Sequence, residues 1–238
     1  MVIGFVERRL YRKRRSPLQT VFVVRRKPYL EKHIMNQKKT AMVLVLSALL
    51  AGSMASAQQN AATPTPAGQN VMIPYTIYGN ASDTGDRLFA PSGWMGNTES
   101  LSYNDACKET PHKGETCIRI SFTRTDGWAG IVWQNPANNW GDDGGGVNLT
   151  GAKQLSFWAR GEKGGEVVAF KMGLIKRDKP YFDTGTATLS NVALTREWKQ
   201  YVLPLAGVNL SRIITGFSFS LAASKEPITF YLDDIVYE

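Results

Sequence analysis

Short apolar runs separated by turn-forming residues make up the chain from Val71 onward. Val, Ile, Phe, Tyr and Trp fill the runs, and Gly, Asn, Asp or Pro interrupts them. Such runs are typical of β-strands, and many of them at regular spacing predict an all-β sandwich or barrel. No segment carries the i, i+3, i+4, i+7 pattern of a helix beyond one possible turn near Asn191. The sequence therefore predicts a single β-sandwich or jelly roll over residues 71–238.

A different pattern precedes this domain. Lys38 and Lys39 introduce an apolar run from Ala41 to Leu50, and the small residues 55–57 (Ala-Ser-Ala) follow it. A basic start, a short apolar run and an A-x-A ending are typical of a cleaved signal peptide. The run is shorter than the roughly 20 residues of a membrane-spanning helix. We therefore predict a signal peptide over Met35–Ala57, an upstream extension over 1–34, and a secreted or periplasmic mature chain without an integral membrane segment.

The charge distribution changes the interpretation of the basic whole chain, whose formal net charge is +8. Residues 1–57 hold 12 of the 28 Lys and Arg and 2 of the 20 Asp and Glu. Residues 58–238 therefore carry a formal net charge of −2. A mature chain without excess positive charge lacks the long-range attraction to phosphate backbones, which argues against nucleic acid as a partner.

Residues 58–70 contain no large apolar side chain and predict a flexible linker.

Two cysteines, Cys107 and Cys117, lie ten positions apart in this exported chain. In an oxidising compartment such a pair predicts a disulfide, which would add about 3 kcal/mol of stability by closing the loop. A metal site would need more ligands than the two thiols and His112 offer, and a redox site would favour C-x-x-C spacing.

Residues 126–146, DGWAGIVWQNPANNWGDDGGG, combine tryptophans with side-chain amides. Indole rings pack against the flat C–H faces of sugars, and planar amides can donate to and accept from hydroxyl groups. The block therefore predicts a carbohydrate-binding surface, although at least one of its tryptophans is expected in the core. The candidate ligand-binding residues here are Trp128, Trp133, Gln134, Asn135, Asn139 and Trp140.

Four further residues are candidates for the same surface. Trp94, in the loop-like FAPSGWMGN, is either one wall of the site or part of the core. Trp158 and Arg160 alternate onto one face of a predicted strand. Lys171 interrupts an apolar strand, so its ammonium group lies either above a concave sheet or at the water surface.

Consecutive carboxylates, Asp233 and Asp234, stand inside the last apolar strand. An unpaired buried carboxylate is costly, so one of them needs a partner. A structural Ca²⁺ that Asp83 and Asp86 also coordinate would satisfy this need, and so would a nearby arginine or lysine.

Four segments resemble the galactose-binding-like jelly-roll domains of secreted bacterial proteins, which include carbohydrate-binding modules such as family 11. In order they are GWAGIVWQNPANNWG, GAKQLSFWARGEKGGE, EWKQYVLPL and FYLDDI. The recurrent motifs of that group match Leu155–Glu166 and Asp233–Ile235. The resemblance implies this fold over nearly all of 71–238 and a structural Ca²⁺ with Asp233 or Asp234 among its ligands.

The function favoured by the sequence is that of an exported, non-catalytic protein that binds a polysaccharide or oligosaccharide. The first alternative is a structural β-sandwich that binds a protein partner. The second is a glycoside hydrolase or lyase, but no catalytic residue is predicted, because the acids form no convincing pair and His112 is the single histidine after Ala57. The acids considered are Asp142, Asp143, Glu162, Glu166, Asp178 and Asp183.

Overall fold

The computed structural model describes residues 67–83 and 87–238. The predicted upstream extension, the signal peptide, linker residues 58–66 and Asp86 lie outside these residues. The strands of the described part are β1 (Gln69–Asn70), β2 (Tyr75–Tyr78), β3 (Ala90–Gly96), β4 (Leu101–Cys107), β5 (Cys117–Phe122), β6 (Trp128–Gln134), β7 (Val147–Asn148), β8 (Gln154–Gly161), β9 (Val167–Met172), β10 (Ala187–Ala193), β11 (Lys199–Pro204), β12 (Thr215–Ala222) and β13 (Ile228–Tyr237). A 3₁₀ turn, Thr98–Ser100, precedes β4.

Two antiparallel sheets form a β-sandwich, as the sequence predicts. The five-stranded sheet has the order β10-β9-β12-β6-β3. The six-stranded sheet has the order β11-β8-β13-β5-β4, and β2 pairs with the end of β13. A short parallel ladder joins β1 to β7. No helix in the described ranges is both long and apolar enough to cross a membrane.

Aromatic rings from both sheets meet in the core. Phe157 of β8 lies 4.5 Å from Phe170 of β9 and 5.2 Å from Phe217 of β12, measured between ring centroids. Phe219 and Phe230 make a similar contact at 5.2 Å. Because the strand pleat alternates sides, each of these strands turns its other residues outward, toward solvent or a covering loop.

The folded unit begins before the predicted boundary at Val71. Gln69 and Asn70, which the sequence assigned to a flexible linker, pair with Val147 and Asn148 in β7. Gly68 permits this close approach, because a Cβ there would lie 2.6 Å from the backbone carbon of Val147. The linker prediction is therefore wrong at these positions, since backbone hydrogen bonds order them without burial of an apolar side chain.

Cys107 of β4 stands directly opposite Cys117 of β5 in the ladder register. Both are buried free thiols in the structure, so the predicted disulfide is not formed in it. Burial and the neighbouring Cys107 raise the pKa of the Cys117 thiol to about 12. The strand register nevertheless brings Cys107 and Cys117, the two residues of the predicted disulfide, next to each other.

Candidate functional site

The outer face of the five-stranded sheet carries small side chains in two rows that cross three strands. Gly130 pairs with Ser220 and Ser220 with Ala169. In the next row Val132 pairs with Ser218 and Ser218 with Lys171. Their neighbours Ile131, Phe219 and Phe170 point into the core. We call these six residues, Gly130, Val132, Ala169, Lys171, Ser218 and Ser220, the outer platform.

Trp128 stands at one end of the outer platform. It is the first residue of β6, lies opposite Ala222, and is 47% exposed. Its indole lines a cleft of about 660 Å³ that continues over Ala169 and Ser220. The far wall of the cleft contains the turn 163–166 and Val167. The cleft therefore offers an aromatic side and a floor of small residues.

Trp140 stands toward the other end of the outer platform. Its ring lies over Gly93 of β3, where a Cβ would come within 3.0 Å of the Trp140 Cζ2 atom. Gly93 pairs with Val132, so Trp140 is next to the second row of the outer platform. The side chain is 36% exposed. Two exposed indoles thus flank the outer platform, of which Ala169, Lys171 and Ser220 are partly exposed and the other three residues are buried.

Side-chain amides hold the loop that carries Trp140. The Gln134 Nε2 atom donates to the backbone oxygen of Asn139 at 2.8 Å. The Asn139 side chain donates to the Asp143 oxygen and accepts from the Gly141 N–H, each at 2.8 Å. Both amides are almost fully buried. Their prediction as ligand contacts is therefore wrong, because their hydrogen bonds are used to shape the loop.

Asn135 and Trp133 are likewise part of the framework. The Asn135 side chain donates to the Leu88 oxygen at 2.7 Å and accepts from the Gly146 N–H at 2.9 Å. Trp133 is 2% exposed and packs 5.3 Å from Phe217 in the core. One tryptophan of the block is therefore in the core, as the sequence predicts, and the Asn135 amide is engaged with the backbone.

Trp94 lies on the same sheet but not on its outer platform. It pairs with the core residue Ile131, so its ring starts from the inner side of edge strand β3. The ring contacts Tyr103 of β4 edge-to-face at 6.3 Å, and its Nε1 atom donates to the Pro91 oxygen. Although it is 41% exposed, Trp94 closes the edge between the two sheets. Trp94 therefore belongs neither to the buried core nor to the outer platform.

Comparison with known families agrees with this architecture. The sequence of residues 75–238 matches the family model described as carbohydrate binding domain 30. The chain belongs to this family. As a family 30 domain it has a non-catalytic, carbohydrate-binding role. Among curated proteins, no sequence matches it significantly.

Solved structures of family 30 carbohydrate-binding modules are similar to the domain. One has a TM-score of 0.50 at 17% identity and covers 70% of this chain and 99% of its own. Another, from a cellulosomal cellulase of Clostridium thermocellum, has a TM-score of 0.46 at 20% identity and covers 70% of this chain and 98% of its own. The first of these similarities supports the shared β-sandwich fold.

The other face of this family 30 domain holds Trp158 and Arg160, away from the outer platform. Trp158 pairs with Asp233, and the His112 ring stacks on it at 3.7 Å. The Arg160 guanidinium lies 3.8 Å from the centre of the Tyr231 ring and donates to the Thr110 hydroxyl. The β4–β5 loop, residues 108–116, therefore covers both side chains. Trp158 and Arg160 therefore lie apart from Trp128 and Trp140, because β8 belongs to the six-stranded sheet, and their role as ligand contacts stays a prediction.

The β4–β5 loop also supplies partners for the consecutive carboxylates. Asp233 Oδ2 accepts from the backbone N–H groups of His112 and Lys113 at 2.9 and 3.2 Å. Asp234 Oδ2 lies 3.0 Å from His112 Nδ1. Desolvation raises the pKa of Asp233 to about 6. Backbone amides and a histidine thus occupy the role that the sequence gave to calcium or to a basic side chain.

The calcium site itself stays a prediction. Asp86 lies outside the described residues, and Asp83 is exposed. Within 67–83 and 87–238, no group of three or more His, Cys, Asp or Glu side chains is placed to hold a metal ion.

Apart from Lys171, the residues of the outer platform were not among those that the sequence predicted. The alternation in Phe217, Ser218, Phe219 and Ser220 already predicts two serines on an outer face. The order of the strands, which brings these serines beside Val132 and Gly130 of β6, comes from pairings between residues about 90 positions apart. Strand alternation therefore identifies the outward residues, whereas only the topology identifies their neighbours.

Proposed function

We propose that the outer platform is the carbohydrate-binding surface of this domain and that a polysaccharide chain lies across it between Trp128 and Trp140. One observation carries the proposal: two exposed indoles, one on β6 and one on the loop that follows it, flank the outer platform. Exposed tryptophans suit the apolar faces of sugar rings, and the partly exposed Ser220 hydroxyl can pair with a sugar hydroxyl.

The spacing of the two indoles favours a chain over a single sugar. Trp128 and Val132 are four residues apart on one strand, which corresponds to about 13 Å at the rise of an extended strand. Trp140 lies beyond Val132, over the adjacent strand β3. A ligand that contacts both indoles must therefore span more than one ring, so we expect longer oligosaccharides to bind more tightly than disaccharides.

Affinity gel electrophoresis against a panel of soluble β-glucans, mannans, xylans and pectins tests the proposal. We expect W128A and W140A each to weaken binding about tenfold, the equivalent of 1.4 kcal/mol, because each removes one stacking contact. W94A is the matched control, since Trp94 is similarly exposed but lies at the sandwich edge. Equal retention of wild type, W128A and W140A on every retained polymer would exclude the outer platform as the binding surface.

The export predictions belong to the same proposal. We propose that cleavage after Ala57 releases a chain that starts at Gln58, and that Cys107 and Cys117 become oxidised outside the cytoplasm. The opposite positions of these residues in the β4–β5 ladder support the disulfide. The intact mass of protein recovered from the culture medium or periplasm, with and without reduction and alkylation, tests both points.

Calcium is a separate part of the proposal and rests on the resemblance to galactose-binding-like domains alone. A calcium titration that follows the thermal midpoint, with D83N and D233N as variants, tests it. Saturable stabilisation that is lost in both variants is the expected result, and an unchanged midpoint would contradict it.

A further inference from the structure

Lys171 occupies the middle of the proposed binding surface. It lies on β9 with Ser218 of β12 on one side and Thr188 of β10 on the other. Its neighbours along the strand, Phe170 and Met172, are fully buried in the core. The side chain of Lys171 therefore projects from the outer face. It lies in the row of the outer platform that also contains Ser218 and Val132, next to Trp140.

Lys171 differs from the other lysines of the described part of the chain in its burial and in its lack of a charged partner. Only Lys171 and Lys179 are half-buried there, whereas the remaining lysines are exposed. Lys179 is paired with Asp142 at 2.8 Å. Lys171 forms no ion pair or side-chain hydrogen bond with any described residue. The adjacent Ser218 hydroxyl donates to the Lys171 backbone oxygen, so it is not directed at the ammonium group.

Two carboxylates, Glu166 and Glu226, lie at the Trp128 end of the outer platform, and both already have partners. Glu226 pairs with Lys163 at 2.6 Å, and Glu166 accepts from the Lys163 N–H at 2.7 Å. Both line the cleft beside Trp128. The outer platform therefore has paired charges at the cleft and one uncompensated positive charge on its floor.

We propose that Lys171 adapts this surface to anionic polysaccharides, in which a sugar carboxylate pairs with its ammonium group. A partly desolvated ammonium without a counter-charge has lost hydration that an anionic group can replace with a charge-assisted hydrogen bond. This inference rests on the proposed function, because it assumes that the glycan lies on the outer platform. It adds the chemical class of the ligand.

Two polymers with one backbone and different charge provide the test. Carboxymethyl cellulose and hydroxyethyl cellulose are both soluble β-glucans, and only the first is anionic. If neither retains the wild type, polygalacturonate and its fully methyl-esterified form give the same comparison on another backbone. We expect stronger binding to the anionic member, a loss of about five- to tenfold in K171M for that member, and a change below twofold for the neutral one.

K199M is the matched control, because it removes the same charge from an exposed lysine of β11 in the other sheet. The expected preference should weaken at high salt for the wild type but not for K171M. Equal anionic binding by K171M and K199M, or equal loss of both polymers in K171M, would overturn the inference.

Failure of the inference is distinguishable from failure of the proposed function. If K171M binds as K199M does while W128A and W140A still lose affinity, the outer platform remains the binding surface and the charge preference is wrong. If W128A and W140A bind every retained polymer as the wild type does, or if no neutral or anionic polymer is retained at all, both proposals fail together.

Discussion

The outer faces of the two sheets both carry tryptophan, but only one face leaves it open. On the five-stranded sheet, Trp128 and Trp140 remain 47% and 36% exposed. On the six-stranded sheet, His112 stacks on Trp158, and the Trp198 Nε1 atom donates to the backbone oxygen of Thr110. A covering loop therefore decides whether an outward indole can bind a ligand or stabilises the fold.

The two faces also differ in how polar groups are used. Loop 108–116 is bound to its sheet by hydrogen bonds to Asp233, Tyr231 and Arg160, which bridge positions up to 122 residues apart. On the outer platform the serines are small and the lysine has no partner among the described residues. Loop 108–116 therefore engages polar side chains of the six-stranded sheet, whereas the Lys171 ammonium group on the five-stranded sheet has no such partner among the described residues.

The largest expected effect comes from exchanging the stacked indole for a small side chain. W158A should lower the free energy of unfolding by about 3 to 4 kcal/mol, since it removes the ring on which His112 stacks. W128A should change it by less than about 0.5 kcal/mol, because an exposed side chain contributes little to stability. Urea unfolding of both variants measures the difference. Similar losses in the two would contradict the contrast between a covered and an open face.

The next effect concerns the base of loop 108–116. Oxidation of Cys107 and Cys117 should raise the free energy of unfolding by about 3 kcal/mol, because a disulfide restricts the unfolded chain. Unfolding of the mature protein with and without reductant measures this, and the double variant C107S/C117S should show no response to reductant. Equal stability of oxidised and reduced wild type would show that the loop is held by its polar contacts alone.

The sequence predicts the fold class well because its signals are local. Alternation in runs such as Gly130–Gln134 and Thr215–Leu221 identifies strands and their faces, and the structure confirms a sandwich. The boundary near Gln69 was missed because backbone pairing, which leaves no hydrophobic pattern, orders that segment.

The candidate site was only partly predictable for a related reason. Residue type identified Trp128 and Trp140, yet Gln134 and Asn139 have the same composition signal and are buried loop supports. Trp158 was grouped with them because a single strand does not reveal to which sheet it belongs. Loop 108–116 lies far in sequence from the strand it covers, so its effect on Trp158 required the three-dimensional contacts.

The smallest expected effect is a pH dependence that belongs to the covered face. The pKa of Asp233 is raised from 3.8 to about 6, chiefly by desolvation. Because the folded state then binds more protons than the unfolded state between about pH 4 and 6, this carboxyl makes the free energy of unfolding fall as pH rises through that range. The expected fall is about 1 to 2 kcal/mol.

The variant D233N separates this effect from other titrating groups. Asp183, whose pKa is also raised by burial, and His112 beside Asp234 are present in both proteins and largely cancel in the difference. We expect the stability of D233N relative to wild type to improve by about 1 to 2 kcal/mol from pH 4 to pH 7. D126N, at a surface ion pair with Arg124, is the control and should show little such trend. A D233N difference that stays constant with pH would mean that loop 108–116 does not desolvate this carboxyl, and the two faces would then differ less than their contacts indicate.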